Sequence, residues 1–113
     1  MMTELSVVQF SRYPAGRTEN DGPFNGAKYR KEVLVPALER AKKAGDRLRI
    51  SLDGARTYGS SFLDEAFGGL VRNEGYSAGD LRSLIEVVIA DPGYEIYRQL
   101  IYKFIDEAEG RTH

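Results

Sequence analysis

Apolar residues recur along this chain with two periods, roughly two and roughly three and a half. Leu5 to Phe10, LSVVQF, is rich in β-branched and apolar side chains and predicts a strand. The following SRYPAGRTENDGPFNG gathers prolines, glycines and turn-formers and predicts a loop, in which Arg17 to Glu19 can pair back on the first strand. From about Ala27 to Ala44 the period turns helical: Tyr29, Val33, Leu34, Ala37, Leu38 and Ala41 share one side. Gly45 is a suitable stop. Pro36 inside that pattern lacks a backbone donor, so a kink or a junction of two helical pieces is expected at Val35–Pro36.

Arg47 to Asp53 alternates, with Leu48, Ile50 and Leu52 on one face and Arg47, Arg49 and Ser51 on the other. That predicts a second strand with one partly wet face or with arginine stems lying across a sheet; Gly54 ends it. A helix is expected over about Ser61 to Arg72, with Phe62, Ala66, Phe67, Leu70 and Val71 as its apolar stripe, and Gly75 closes it. Ser77 and Asp80 have capping-box spacing before a short turn anchored by Leu81 and Leu84. Ile85 to Ala90 reads as a third strand ending at Asp91-Pro92-Gly93, and Tyr94 to Glu109 as the last helix. Strands alternating with helices imply an α/β chain: a small mixed or parallel sheet covered by helices, in a single domain over residues 1–113.

Composition narrows the chemistry. Sixteen basic residues face seventeen acidic ones, which argues against a nucleic-acid protein. Arg30 and Lys31, then Arg40, Lys42 and Lys43, read as the wet face of one helix. The chain has no cysteine, so disulfides, thiolate nucleophiles and cysteine-bound metals are excluded. Its one histidine, His113, is the last residue, which leaves zinc and serine–histidine chemistry without parts. No apolar run has the length of a membrane span, and the N-terminus lacks a signal pattern, so a cytoplasmic protein is expected. DGPFNGAK lacks the spacing of a phosphate-binding loop, so Gly22 and Gly26 read as turn residues. The pairs Asp64–Glu65 and Asp106–Glu107 are adjacent in helices and diverge, as solvated surface does. No nucleophile, base and orienting group assemble, and no metal or cofactor is implied.

The two serines of GSSFLDE allow two readings. Ser61-Phe62-Leu63-Asp64 has the form of a capping box, so Ser61 can simply close the start of a helix. Equally, a hydroxyl at the mouth of a helix, after a strand, is reachable by a kinase, and a phosphate there meets free amides and a favourable dipole.

The stretch LRISLDGARTYGSSFLDEAFGGLV resembles the central signature of the STAS-like domain family, which is similar to the STAS domain of anti-sigma factor antagonists. In those antagonists a strand and a turn lead to a serine-bearing motif that opens a helix and is phosphorylated by a partner kinase. On this chain the resemblance places the strand at Ile50 to Asp53, the turn at Gly54 and the phosphoacceptor at Ser61, with Ser60 its neighbour. Gly59 stands where antagonists have Asp, and Phe62 where they have Gly. The resemblance implies a STAS-like fold and a non-catalytic regulatory module. The expected partner is a protein, a histidine-kinase-like ATPase, met through Gly59, Asp64, Glu65 and Gly68, with Gly69 extending a flat strip that a neighbouring helix can equally fill. Two other readings stay open. One is an unphosphorylated scaffold or oligomeric subunit of a defence or toxin–antitoxin-like system. The other is a nucleotide-binding module using the helix entrance as an anion site.

Overall fold

The structure, a computed structural model, describes residues 3–111, with side chains as far as residue 110; His113 lies outside the described residues. Three strands form a parallel sheet in the order β1 (Thr3–Ser6), β2 (Leu48–Ser51), β3 (Ile85–Val88). Of the two arrangements expected, the sheet is thus parallel throughout its described part. Helix α1 spans residues 26–44, α2 residues 60–72, α3 Ala78–Leu84 and α4 Glu95–Arg111.

Alternation on the strands fixes the faces. Leu48, Ile50, Ile85 and Val87 are buried beneath the helices together with Leu38, Phe67, Leu81 and Ile105. The other face carries a charged row, Glu4, Arg49 and Glu86, in register across the three strands. Arg49 sits 3.1 Å from the Glu86 carboxylate and 3.7 Å from that of Glu4, as a half-wet sheet face allows.

Each strand is shorter than its pattern predicts, for local reasons. Val7 and Phe10 are three residues apart, so a 3-10 turn over Val7–Gln9 lets both turn inward. Phe10 then packs its ring 4.9 Å from that of Tyr29. Residues Arg17 to Glu19 do not pair with β1. Instead a 3-10 turn over Glu19–Asp21 is closed by the Asp21 carboxylate, which accepts from the amides of Arg17 and Thr18 at 3.0 and 3.3 Å. Arg47 lies outside β2 and donates through its guanidinium to the carbonyls of Ser83 and Ile85, holding the end of α3.

Helix α1 begins at the buried cap Asn25, whose side chain accepts from the Lys28 amide at 2.8 Å. Gly26 is therefore a helical residue and not a turn residue. A Cβ there would lie 2.6 Å from the Phe62 carbonyl oxygen, so its bareness lets α1 cross α2 at contact distance. Gly45, at φ +71°, ends α1. Pro36 is accommodated without breaking the helix. The preceding turn, Arg30–Leu34, is widened to a π turn in which the Val35 amide donates to the Arg30 carbonyl, and the α-helix resumes at Val35. The short turn expected after Gly75 is a true helix, α3, capped by Ser77, which accepts from the Asp80 amide at 3.0 Å.

Candidate functional site

The loops that follow the strands meet at the carboxyl edge of the sheet, the side on which open parallel sheets present their binding sites. The loop after β2 is held at nearly every residue. Asp53 accepts from the amides of Ala90 and Asp91 at 2.8 and 3.1 Å, which ties it to the loop after β3. Tyr58 donates to the Leu52 carbonyl at 2.7 Å and Tyr94 to that of Ala55 at 2.6 Å. Burial raises the Tyr58 phenol well above its ordinary pKa, so it stays a donor at any physiological pH. On the other side, the Arg56 amide donates to the Arg12 carbonyl at 2.8 Å and the Gly59 amide to that of Pro14 at 2.9 Å.

This lacing aims the entrance of α2. Gly59 occupies the cap position in an extended conformation, φ −70° and ψ 134°, and no side chain caps the helix. Ser61 is therefore not the cap that its S-x-x-D spacing suggests. Ser60 and Ser61 are the first two helical residues, Ser60 exposed and Ser61 partly buried. The first amides of α2 have no intrahelical acceptor, and neither serine uses its hydroxyl to satisfy them. Phe62, fully buried, sends its ring against Tyr29, centroids 5.7 Å apart, and anchors the first turn to α1.

The remaining partner-facing candidates are engaged inside the molecule. Gly59 is pressed against the loop after β1, where an added Cβ would lie 3.3 Å from the Ala15 Cα. Asp64 and Glu65 are not wet surface: their side chains are 13% and 16% exposed, and each meets arginine. The Asp64 carboxylate takes Arg17 at 2.8 Å and Arg72 at 3.0 Å. Partial burial pushes the Asp64 carboxyl up, but the hydrogen bonds from both arginines outweigh that and hold it below the usual carboxylate range. Glu65 receives Arg30 at 2.7 Å, and Arg30 reaches Glu74 at 3.0 Å.

Arg30 overturns its assignment to a wet helical face: it is 3% exposed. The signal was present, since Arg30 stands four residues before Leu34 and seven before Ala37 on the buried stripe. Its surroundings explain the glycines. Helix α2 widens to a π turn over Asp64–Gly68. The Glu65 carbonyl there accepts from Arg30 and the Asp64 carbonyl from Arg72, at 3.0 Å for the latter. A Cβ on Gly69 would fall 2.9 Å from the Arg30 Cζ, and one on Gly68 2.7 Å from an Arg72 guanidinium nitrogen. The expected flat strip at Gly68 and Gly69 is thus already filled by two arginines of the chain itself.

Among the described residues, no three acidic or histidine side chains gather as a metal site requires, and no helix is long and apolar enough to cross a membrane. A hollow of about 560 Å³ lies beside the start of α1, lined by Thr18, Pro23, Asn25, Lys28 and Lys31. Its one buried polar group, Asn25, spends its side chain on the Gly22 carbonyl and the Lys28 amide.

A family model described as a STAS-like domain of unknown function matches residues 25–95, from the cap of α1 to the first residue of α4. No curated protein and no solved structure matches the chain.

Proposed function

The chain belongs to the STAS-like domain family, and from that premise we propose that it is a non-catalytic regulatory module that binds a protein partner through the mouth of α2. Ser61, with Ser60 beside it, is the phosphoacceptor that releases the partner. The observation that carries this reading is the uncapped entrance: two serine hydroxyls stand in the first turn while neither serves the backbone. A capping serine would have a structural use and a phosphate on it would cost the helix its cap. Here a phosphate gains the amides and the helix dipole without displacing anything.

The switch needs no motion of the fold. A phosphate adds about two negative charges and three acceptor oxygens at the rim of the contact. A partner seated on that rim then has to bury a dianion or withdraw. The partner that fits is the one the family resemblance points to, a histidine-kinase-like ATPase able both to bind this surface and to modify it. The test is capture of the co-expressed native partner by tagged protein. Ser61→Asp retains less partner than wild type, while Ser61→Ala retains as much. Equal retention by the two variants removes the switch from this position.

A further inference from the structure

Seven arginines of the described chain have work inside the fold. Six pair with carboxylates: Arg17, Arg30, Arg49, Arg72, Arg82 and Arg98. Arg47 donates to backbone carbonyls instead. Among the described arginine side chains, only Arg12, Arg40 and Arg56 have neither an ion pair nor a hydrogen bond. Arg40 is exposed on α1, among Glu39, Lys42 and Lys43. Arg12 and Arg56 are exposed and come from different loops, yet their backbones are joined by the 2.8 Å bond from the Arg56 amide to the Arg12 carbonyl. Tyr13, between Arg12 and the buried Pro14, is 60% exposed, one of few large apolar side chains left in water. Four residues after Arg56 comes Ser60, the exposed start of α2.

Resting on the reading of the α2 mouth as the partner face, we propose that Arg12 and Arg56, with the exposed Tyr13 next to Arg12, form a docking site for an acidic segment of the partner protein. Arginine and tyrosine are the residue types that dominate binding energy at protein interfaces. An arginine fork matches a carboxylate bidentately, and the fold supplies no carboxylate to either of these two. The loops need little ordering on binding, because the Arg56–Arg12 and Gly59–Pro14 backbone bonds hold them side by side. The near-neutral chain, with no basic stripe, favours an acidic polypeptide over a nucleic acid.

The test is an NMR titration of the full chain with a hexaglutamate peptide, hexalysine serving as the sign control. Shifts are expected at residues 12–15 and 56–60, with none on adding hexalysine. The variant Arg12→Gln/Arg56→Gln weakens hexaglutamate about tenfold, Tyr13→Ala weakens it less, and Arg40→Gln leaves it unchanged. Shifts centred on Lys28 and Lys31 or on Lys42 and Lys43, or an equal affinity in the double variant, overturn the proposal. So does tighter binding of a single-stranded thymidine oligonucleotide to the same residues. Ser61→Asp separates this inference from the switch. Loss of peptide in the arginine variant supports the docking site whether or not Ser61→Asp acts, whereas an effect of Ser61→Asp alone overturns it.

Discussion

The middle of α2 and its mouth use the same residue type in opposite ways. In the middle, Arg30 is nearly sealed from water between Glu65 and Glu74, and Arg72 closes over Asp64. At the mouth, Arg12 and Arg56 stand in solvent with no carboxylate of their own. A buried guanidinium persists only where carboxylates and carbonyls replace its water, so the first set is bound to the fold. An exposed guanidinium costs nothing to leave free, so the second set is available to a partner. The glycines of α2 and its entrance all fall on the internal side of that contrast. Gly68 and Gly69 make room for the chain's own arginines, and Gly59 makes room for the loop after β1. None of the three is a bare surface left for another molecule.

That contrast is open to breakage, first at its most buried point. Arg30→Ala strands two carboxylates and costs about 3–5 kcal/mol in urea unfolding. Arg30→Lys recovers little of it, because an ammonium cannot span the two carboxylates and the Glu65 carbonyl in one plane. Next, Asp64→Asn costs about 2 kcal/mol at neutral pH. The folded state holds the Asp64 carboxyl below its unfolded pKa, so this stabilisation is present above about pH 4 and fades as pH falls through the lower, folded value. Wild type and Asp64→Asn therefore converge in stability towards acid, and unfolding curves measured across that range check it. A gap that stays constant down to pH 2 would show that the Asp64 charge contributes nothing.

The mouth is expected to yield far smaller changes. Ser61→Ala shifts stability by less than about 0.5 kcal/mol, since its hydroxyl caps nothing and alanine favours a helix. A loss of about 1 kcal/mol or more, the size of a lost cap, would show that Ser61 does close the helix in solution. Arg12→Gln and Arg56→Gln likewise stay within about 0.5 kcal/mol of wild type in unfolding, as exposed substitutions do.

Much of the fold was legible because it rests on local patterns. Leu48 and Ile50, or Ile101 and Ile105, announce a half-buried strand and a helical stripe without help from the rest of the chain. The ends of elements were less legible, because contacts distant in sequence set them. LSVVQF has strand composition throughout, yet Val7 and Phe10 leave the strand to reach the aromatic ring of Tyr29. The family signature located the two serines. Their placement inside the helix was hidden, because the cap position falls on Gly59, whose amide bonds to the Pro14 carbonyl forty-five residues earlier. The arginine network was hidden for the same reason: Arg30 meets Glu65 and Glu74 only after α1 and α2 have crossed. Only its position on the apolar stripe betrayed it.

The claim that matters most is that the hydroxyls at the mouth of α2 are a place of modification. Intact mass spectrometry of the protein from its native cell, followed by fragmentation, addresses it directly. The account predicts a single phosphoryl increment, assigned to the peptide containing Ser60 and Ser61 and absent in Ser60→Ala/Ser61→Ala. A protein that carries no phosphate whether its partner is bound or free, or carries one on another residue, would contradict it.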